Sequence, residues 1–167
     1  MTSKPSDPRG SMTLKLEGKS RRFRQQIPIS WRPLGQCEHF SVDNDVFHQI
    51  LRVTRISDAY PSTQALLDAH NWLLKLFQGF ERPKVVLVWD GRRGKLRNDP
   101  EFEAAMKQVL PAVTERWSEF ISINNSPVVK VQFFRWTCEG TTCPIRSFKD
   151  EREALNFAME VSANTPR

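Results

Sequence analysis

No run in this chain approaches the ~18 apolar residues that span a membrane, and its first residues carry no apolar core of a secretory signal. A soluble, cytoplasmic protein is the expectation. Cysteine is scarce: Cys37, Cys138 and Cys143 are too few and too unevenly spaced for a disulfide framework. A turn at 139–142 would bring Cys138 and Cys143 close enough to bond if oxidised, but reduced structural thiols are expected. With no second cysteine pair and no suitably spaced histidine, the motif makes a poor zinc site. His39, His48 and His70 do not cluster either, so no metal and no cofactor is expected.

Charge is unevenly placed. The net charge of +6 resides entirely in residues 1–36, which hold eight Lys/Arg against two Asp/Glu. Residues 37–167 hold seventeen of each and are neutral. Prolines and glycines among Ser, Thr and cations make 1–36 read as a basic, disordered or loosely docked N-terminal arm. Within it Ile27, Ile29 and Trp31 alternate, which suits short extended pieces that dock on the domain. Residues 37–167 are long enough to bury one core.

Regular patterning starts near Phe40. Residues 40–47 suit an edge strand, with Asp43, Asn44 and Asp45 as its turn. Residues 50–56 alternate and are β-branched, which predicts a strand with one wet face. A helix follows with Ser62 or Thr63 as N-cap, a core face of Leu66, Ala69, His70, Leu73 and Phe77, and Gly79 as its stop. Residues 85–89 are continuously apolar, so this strand belongs in the centre of the sheet.

Asp99 caps the next helix and Pro100 takes its first position. Its core face is Phe102, Ala105, Met106, Val109, Val113 and Trp117, with Pro111 expected to kink or split it. Short strands are predicted at 120–123 and 128–136, the latter pairing back with 144–148 as a hairpin. On such a strand Phe134 and Trp136 share one face and Phe133 takes the other. Asp150 and Glu153 form a capping box before a last helix that buries Ala154, Leu155, Ala158 and Val161. The sum is an α/β domain with helices packed on a mixed sheet, mixed because of the 129–148 hairpin.

The loop after the central strand is where α/β proteins meet ligands and partners. Here it holds Asp90, Gly91, Arg92, Arg93, Lys95, Arg97 and Asn98. As a phosphoacceptor Asp90 lacks the acidic pair and the late lysine of a receiver domain, since Asp58 stands alone after the first strand. A dehalogenase-type nucleophile would need a second aspartate where Arg92 stands. A phosphate loop needs GxxxxGK[ST], and here the spacing differs and Leu96 replaces the hydroxyl. Asp90 is therefore expected to hold loop amides before a glycine turn, and the cations to face a protein partner. His70 is expected to be a satisfied histidine at the edge of the core.

Taken together, residues 85–90, the Arg-rich loop, residues 98–102 and the closing run 148–155 resemble the STAS fold, the anti-sigma-factor-antagonist type. More closely, they resemble the small bacterial STAS-like or STAS/SEC14-like domains, over roughly residues 46–161. The resemblance implies a β-α-β-α-β core and a non-enzymatic regulatory module that contacts a protein. Antagonists of this family present a phosphorylated serine where this chain has Gly91, so charge from Arg92, Arg93, Lys95 and Arg97 would replace that switch. Two alternatives stay open. The arm residues Lys19, Arg21, Arg22, Phe23 and Arg24 combine cations with an aromatic ring, as nucleic-acid binders do. The SEC14-like label raises a lipid or small-ligand pocket, which a cavity between the sheet and the 66–77 helix would favour.

Overall fold

A computed structural model describes residues 27–95, 97–137 and 143–166. Its strands are β1 (Arg32–Gln36), β2 (Phe40–Asp45), β3 (Ile50–Arg55), β4 (Val86–Asp90), β5 (Glu119–Ile123) and β6 (Ile145–Phe148). Its helices are α1 (Thr63–Phe77), α2 (Pro100–Thr114), α3 (Pro127–Thr137) and α4 (Glu151–Asn164). The strands lie in sequence order in a single six-stranded sheet. β1 pairs with β2 and β2 with β3 antiparallel, and β3 to β6 run parallel.

The sheet is mixed, as expected, but for another reason. The antiparallel pairs come from the N-terminal meander, and residues 128–136 are helical rather than a strand. Val128, Val129 and Val131 carry β propensity, yet Gln132, Phe133, Trp136 and Thr137 are the buried positions, a helical spacing. Phe133 and Trp136 therefore share a face, against the expected alternation. Residues 144–148 do not pair back on that segment either. β6 runs parallel to β5, and a parallel neighbour requires a crossover, which α3 supplies. Cys138 lies outside the described residues. Cys143 is buried and its thiol donates to the Trp117 carbonyl at 3.2 Å, while burial, then the Glu119 charge, push its pKa up to about 12.

One other expectation changes at the N-terminal edge, and the docking of extended pieces there takes definite form. Asp43, Asn44 and Asp45 belong to β2, which is flanked by β1 and β3; the turn follows at 46–49, where Gln49 adopts φ 54°. β1 lies inside the segment expected to be an arm, and Ile29 and Trp31 pack against the domain. Pro33 and the irregularity beside it sit on the edge strand, where a missing N–H breaks no inner ladder. A side chain at Gly35 would crowd the Trp72 ring at 3.3 Å.

The helix signals hold closely. Ser62, Asp99 and Asp150 each cap a helix by accepting a backbone N–H, from Ala65, Phe102 and Glu153. α1 buries the five expected residues. Gly79 follows its end without positive φ, so no left-handed cap is made. α2 continues through Pro111 as one helix. The amide that Pro111 lacks would have bonded Lys107, whose position faces solvent, so water can satisfy the vacant carbonyl. α4 buries Ala154, Ala158 and Ser162, with Leu155 and Val161 only half-buried.

Strand parity divides the core in two. Leu51, Val53, Leu87, Trp89 and Phe120 face α1, α2 and α3. Ile50, Val86, Val88, Ile121 and Ile123 face α4, whose alanines allow close approach. β4 and β5 are buried along their whole length, which places β4 centrally as expected.

Candidate functional site at the carboxyl end of the parallel strands

The β4–α2 loop leaves the sheet between the ends of β3 and β5, and its residues divide between the two faces. Asp90 belongs to the α4 face. Its Oδ1 accepts from the Arg92 amide at 3.2 Å and from Arg92 Nε at 2.9 Å. Its Oδ2 accepts from Arg92 Nη2 at 2.5 Å, and the same nitrogen donates to Glu151 Oε2 on α4 at 2.7 Å. Arg52 continues the chain, 3.5 Å from Glu151 and 2.9 Å from Asp43. The hydrogen bonds that Arg92 donates to Asp90, and then to Glu151, hold its pKa above the ordinary value. Asp90 is thus the loop anchor expected of it, and Arg92 is spent on holding the loop to α4.

The remaining cations are matched as well. Arg93 and Lys95 reach Asp58, after β3, at 3.2 and 3.6 Å. Arg97 pairs with Asp99 at 2.8 Å and lies over the Phe102 ring at 5.1 Å. Asn98 is exposed, and its Oδ1 accepts from Gln132 Nε2 of α3 at 3.3 Å; the same nitrogen donates to the Arg97 carbonyl at 3.1 Å. Gly91 packs so closely that a Cβ would stand 3.0 Å from Asn124 Oδ1 and 3.3 Å from Trp89 Nε1. Of the loop cations, Arg93 and Lys95 extend furthest into solvent. The arm residues Lys19, Arg21, Arg22, Phe23 and Arg24 lie outside the described residues.

Beneath the loop, on the opposite face, a cavity of about 100 Å³ opens between the strand ends and the three helices. Arg55, His70, Asn124 and Trp136 line it, each less than a tenth exposed. His70 is the fully buried member, deeper than the core edge expected of it. Its Nδ1 lies 2.8 Å from the Leu66 carbonyl, which can only accept, so Nδ1 carries the proton. Nε2 is then an acceptor, and it has no partner. Burial lowers the His70 pKa to about 4.

Arg55 donates from Nε to the Ser57 carbonyl at 2.8 Å and stacks 3.5 Å from the Tyr60 ring centroid. Its Nη1 is buried without a partner. Burial draws its pKa below the ordinary value, against the opposing influence of Tyr60, Cys37 and Asp58. His39 is hydrogen-bonded to Ser57 at 2.7 Å, but burial and then the Arg55 charge lower its pKa, which disfavours a proton on that imidazole.

Of these residues the sequence singled out His70, as a core residue, and Trp136, as part of a strand face. A signal for Arg55 was present: it shares strand parity with Leu51 and Val53, the buried face of β3. Asn124 carried none, and Trp136 none for the cavity, because its segment read as a strand. Among the described residues, no group of His, Cys, Asp and Glu is arranged to hold a metal, and no helix is long and apolar enough to cross a membrane.

No family model and no curated protein matches the chain. Among solved structures, the chain is similar to a DUF3478-family protein with a SpoIIAA-like fold from Shewanella loihica, at 12% identity. The match covers 78% of this chain and 93% of that one, with a TM-score of 0.46.

Proposed function

We propose that this chain is a cytoplasmic, non-enzymatic regulatory module of the STAS-like type, and that it docks a protein through the rim of the β4–α2 loop. The observation that carries this is an apolar pair beside that rim. Val128 and Val131 on α3 are 61% and 69% exposed and lie three residues apart, on one side of the helix. Gln132, next to Val131, is bonded to Arg97 and Asn98, which ties the helix that carries the apolar pair to the loop. Exposed apolar residues rimmed by charge are a common composition for a protein contact.

The surface is refined from the loop alone. Asp90 and Arg92 support it by fixing the loop to α4, whereas Arg93, Lys95, Asn98, Val128 and Val131 are available for contact. Because Asp58 neutralises part of the cationic charge, the partner is selected by shape and apolar contact more than by a strong opposite charge.

Quantitative affinity purification from source-cell extract tests this with Val131→Asp and Arg93→Glu, against Arg152→Glu on the exposed side of α4 as control. A partner enriched by the parent protein should fall at least about tenfold with either loop-side variant, the effect of a modest hot spot. It should persist with the α4 control. Equal recovery by all three variants would remove this surface from consideration.

A further inference from the structure

The β2–β3 turn carries both halves of a self-association contact, and the geometry points to a second copy of this chain as its partner. This goes beyond the docking surface and does not depend on it. The turn at 46–49 and the segment 79–85 precede β3 and β4, whereas the β4–α2 loop leaves their carboxyl ends. The first observation is a knob. Turns are ordinarily built from Gly, Pro, Asn, Asp and Ser. This one instead sets Val46 and Phe47 side by side, 63% and 42% exposed. Gln49 closes it at φ 54°, where glycine or asparagine is the usual occupant. A turn that departs this far from local turn chemistry marks a place where the sequence serves something besides the fold.

The second observation is a hole beside the knob. An open pocket of about 440 Å³ is lined by Val46, Gln49, Gly79, Phe80, Lys84 and Val85, among others. A closed space of ~150 Å³ holds benzene, so this opening admits a phenyl ring with room for a neighbouring valine. Phe47 does not line it, so knob and hole are adjacent and separate. Asp45 borders the opening, but its side chain is only 2% exposed and is engaged by the Ser30 and His48 amides. Its oxygens are therefore turned away from an entering ring.

Symmetry and charge select the occupant. A two-fold contact uses one patch twice, so that patch must supply both a knob and a hole. Phe47 and the pocket next to it meet this condition, each ring seating in the other copy's pocket. On the same rim Glu81 and Lys84 are exposed and lie 2.7 Å apart. Each copy thus offers one charge of either sign, and across a two-fold axis Glu81 of one copy can meet Lys84 of the other. Two phenyl rings and two valines make a compact contact, of the class below ~1,200 Å². A reversible dimer that dissociates at roughly 1–100 µM is the expectation.

Analytical ultracentrifugation of the full 167-residue chain, from about 1 to 500 µM, reads the association. The parent chain should pass from monomer to dimer within that range. Phe47→Ala removes the knob and should weaken self-association at least about tenfold. Gly79→Leu fills the hole from inside and should weaken it at least as much. Gly79 has no positive φ, and a Cβ there meets only the Leu76 carbonyl, at 3.7 Å, so the fold accepts a side chain. Phe47→Ala, at an exposed position, carries the test if Gly79→Leu does not fold. The deciding arm mixes the two variants, one of them fluorescently labelled. A mixed pair keeps one native knob in one open hole and sets the missing knob against the filled hole. It should therefore associate more tightly than either variant does with itself. Val131→Asp, on the docking surface, should leave the dimer unchanged. A parent chain that stays monomeric throughout the range overturns the proposal. So does a dimer that both variants leave intact, a mixture no tighter than its components, or a dimer that Val131→Asp dissolves.

Discussion

Arg52 and Arg55 stand three residues apart on one strand and face opposite sides of one sheet. On the α4 face, Arg52 meets Asp43 and Glu151 and stacks 4.2 Å from the Trp31 ring centroid. Arg92 and Asp90 extend this into a chain of alternating charges that joins β2, β3, β4 and α4. On the helical face, Arg55 is more deeply buried and has ring contacts but, among the described residues, no carboxylate partner. The loop that draws the eye for its cations is the compensated region. The uncompensated one lies beneath it, which shows that local charge count and electrostatic need are different quantities.

The contrast can be pushed hardest through packing. Phe133 stacks on Phe120 with ring centroids 5.4 Å apart and lines the cavity. Phe133→Ala should cost about 3–5 kcal/mol and enlarge the cavity, against roughly 1–2 for Leu155→Ala on the less buried α4 face. Urea denaturation measures both. Equal losses would mean that the two faces contribute alike and that the helical layer holds no privileged core.

Acid sharpens the comparison next. Folded His70 has a pKa lowered to about 4, below the ordinary 6.5. A lowered folded value means that its contribution is complete above pH 6.5 and is lost as pH falls toward 4. The full loss is roughly 3 kcal/mol, since each unit corresponds to ~1.4 kcal/mol. His70→Gln, which cannot take up that proton, should flatten this part of the stability–pH curve. If parent and variant lose stability in parallel from pH 7 to pH 4.5, His70 is not the acid-sensitive group.

The smallest effects separate the loop cations from one another. Arg92→Ala leaves a largely buried Asp90 without its forked partner and should cost about 1–2 kcal/mol. Arg93→Ala removes a pair in which both side chains are more than half exposed, and should stay within about 0.5 kcal/mol. Matching denaturation midpoints for the two variants would erase the division of the loop into anchor and contact residues.

Much of the architecture was legible because its signals are local. Caps at Ser62, Asp99 and Asp150 act within three residues, and the α1 face repeats within a turn or two. The continuously apolar β4 announced its own central position. Residues 128–136 failed because three valines favour a strand locally, while burial of Phe133 and Trp136 against Phe120 and Phe102 favours a helix. The position of the loop after β4 was legible, but the acids that Arg92, Arg93 and Lys95 meet were not, because Glu151 and Asp58 lie far from the loop in sequence.

By itself, then, the chain determined which segments form most elements, which faces they bury and where the central strand ends. Those properties follow from period, capping and propensity, each set within a few positions. Tertiary structure alone decided who meets whom. Glu151 reaches Arg92 across 59 positions of sequence, and no carboxylate of the described residues does the same for Arg55. Desolvation and charge pairing depend on what folding places within a few ångströms, and that distance is not written in sequence spacing.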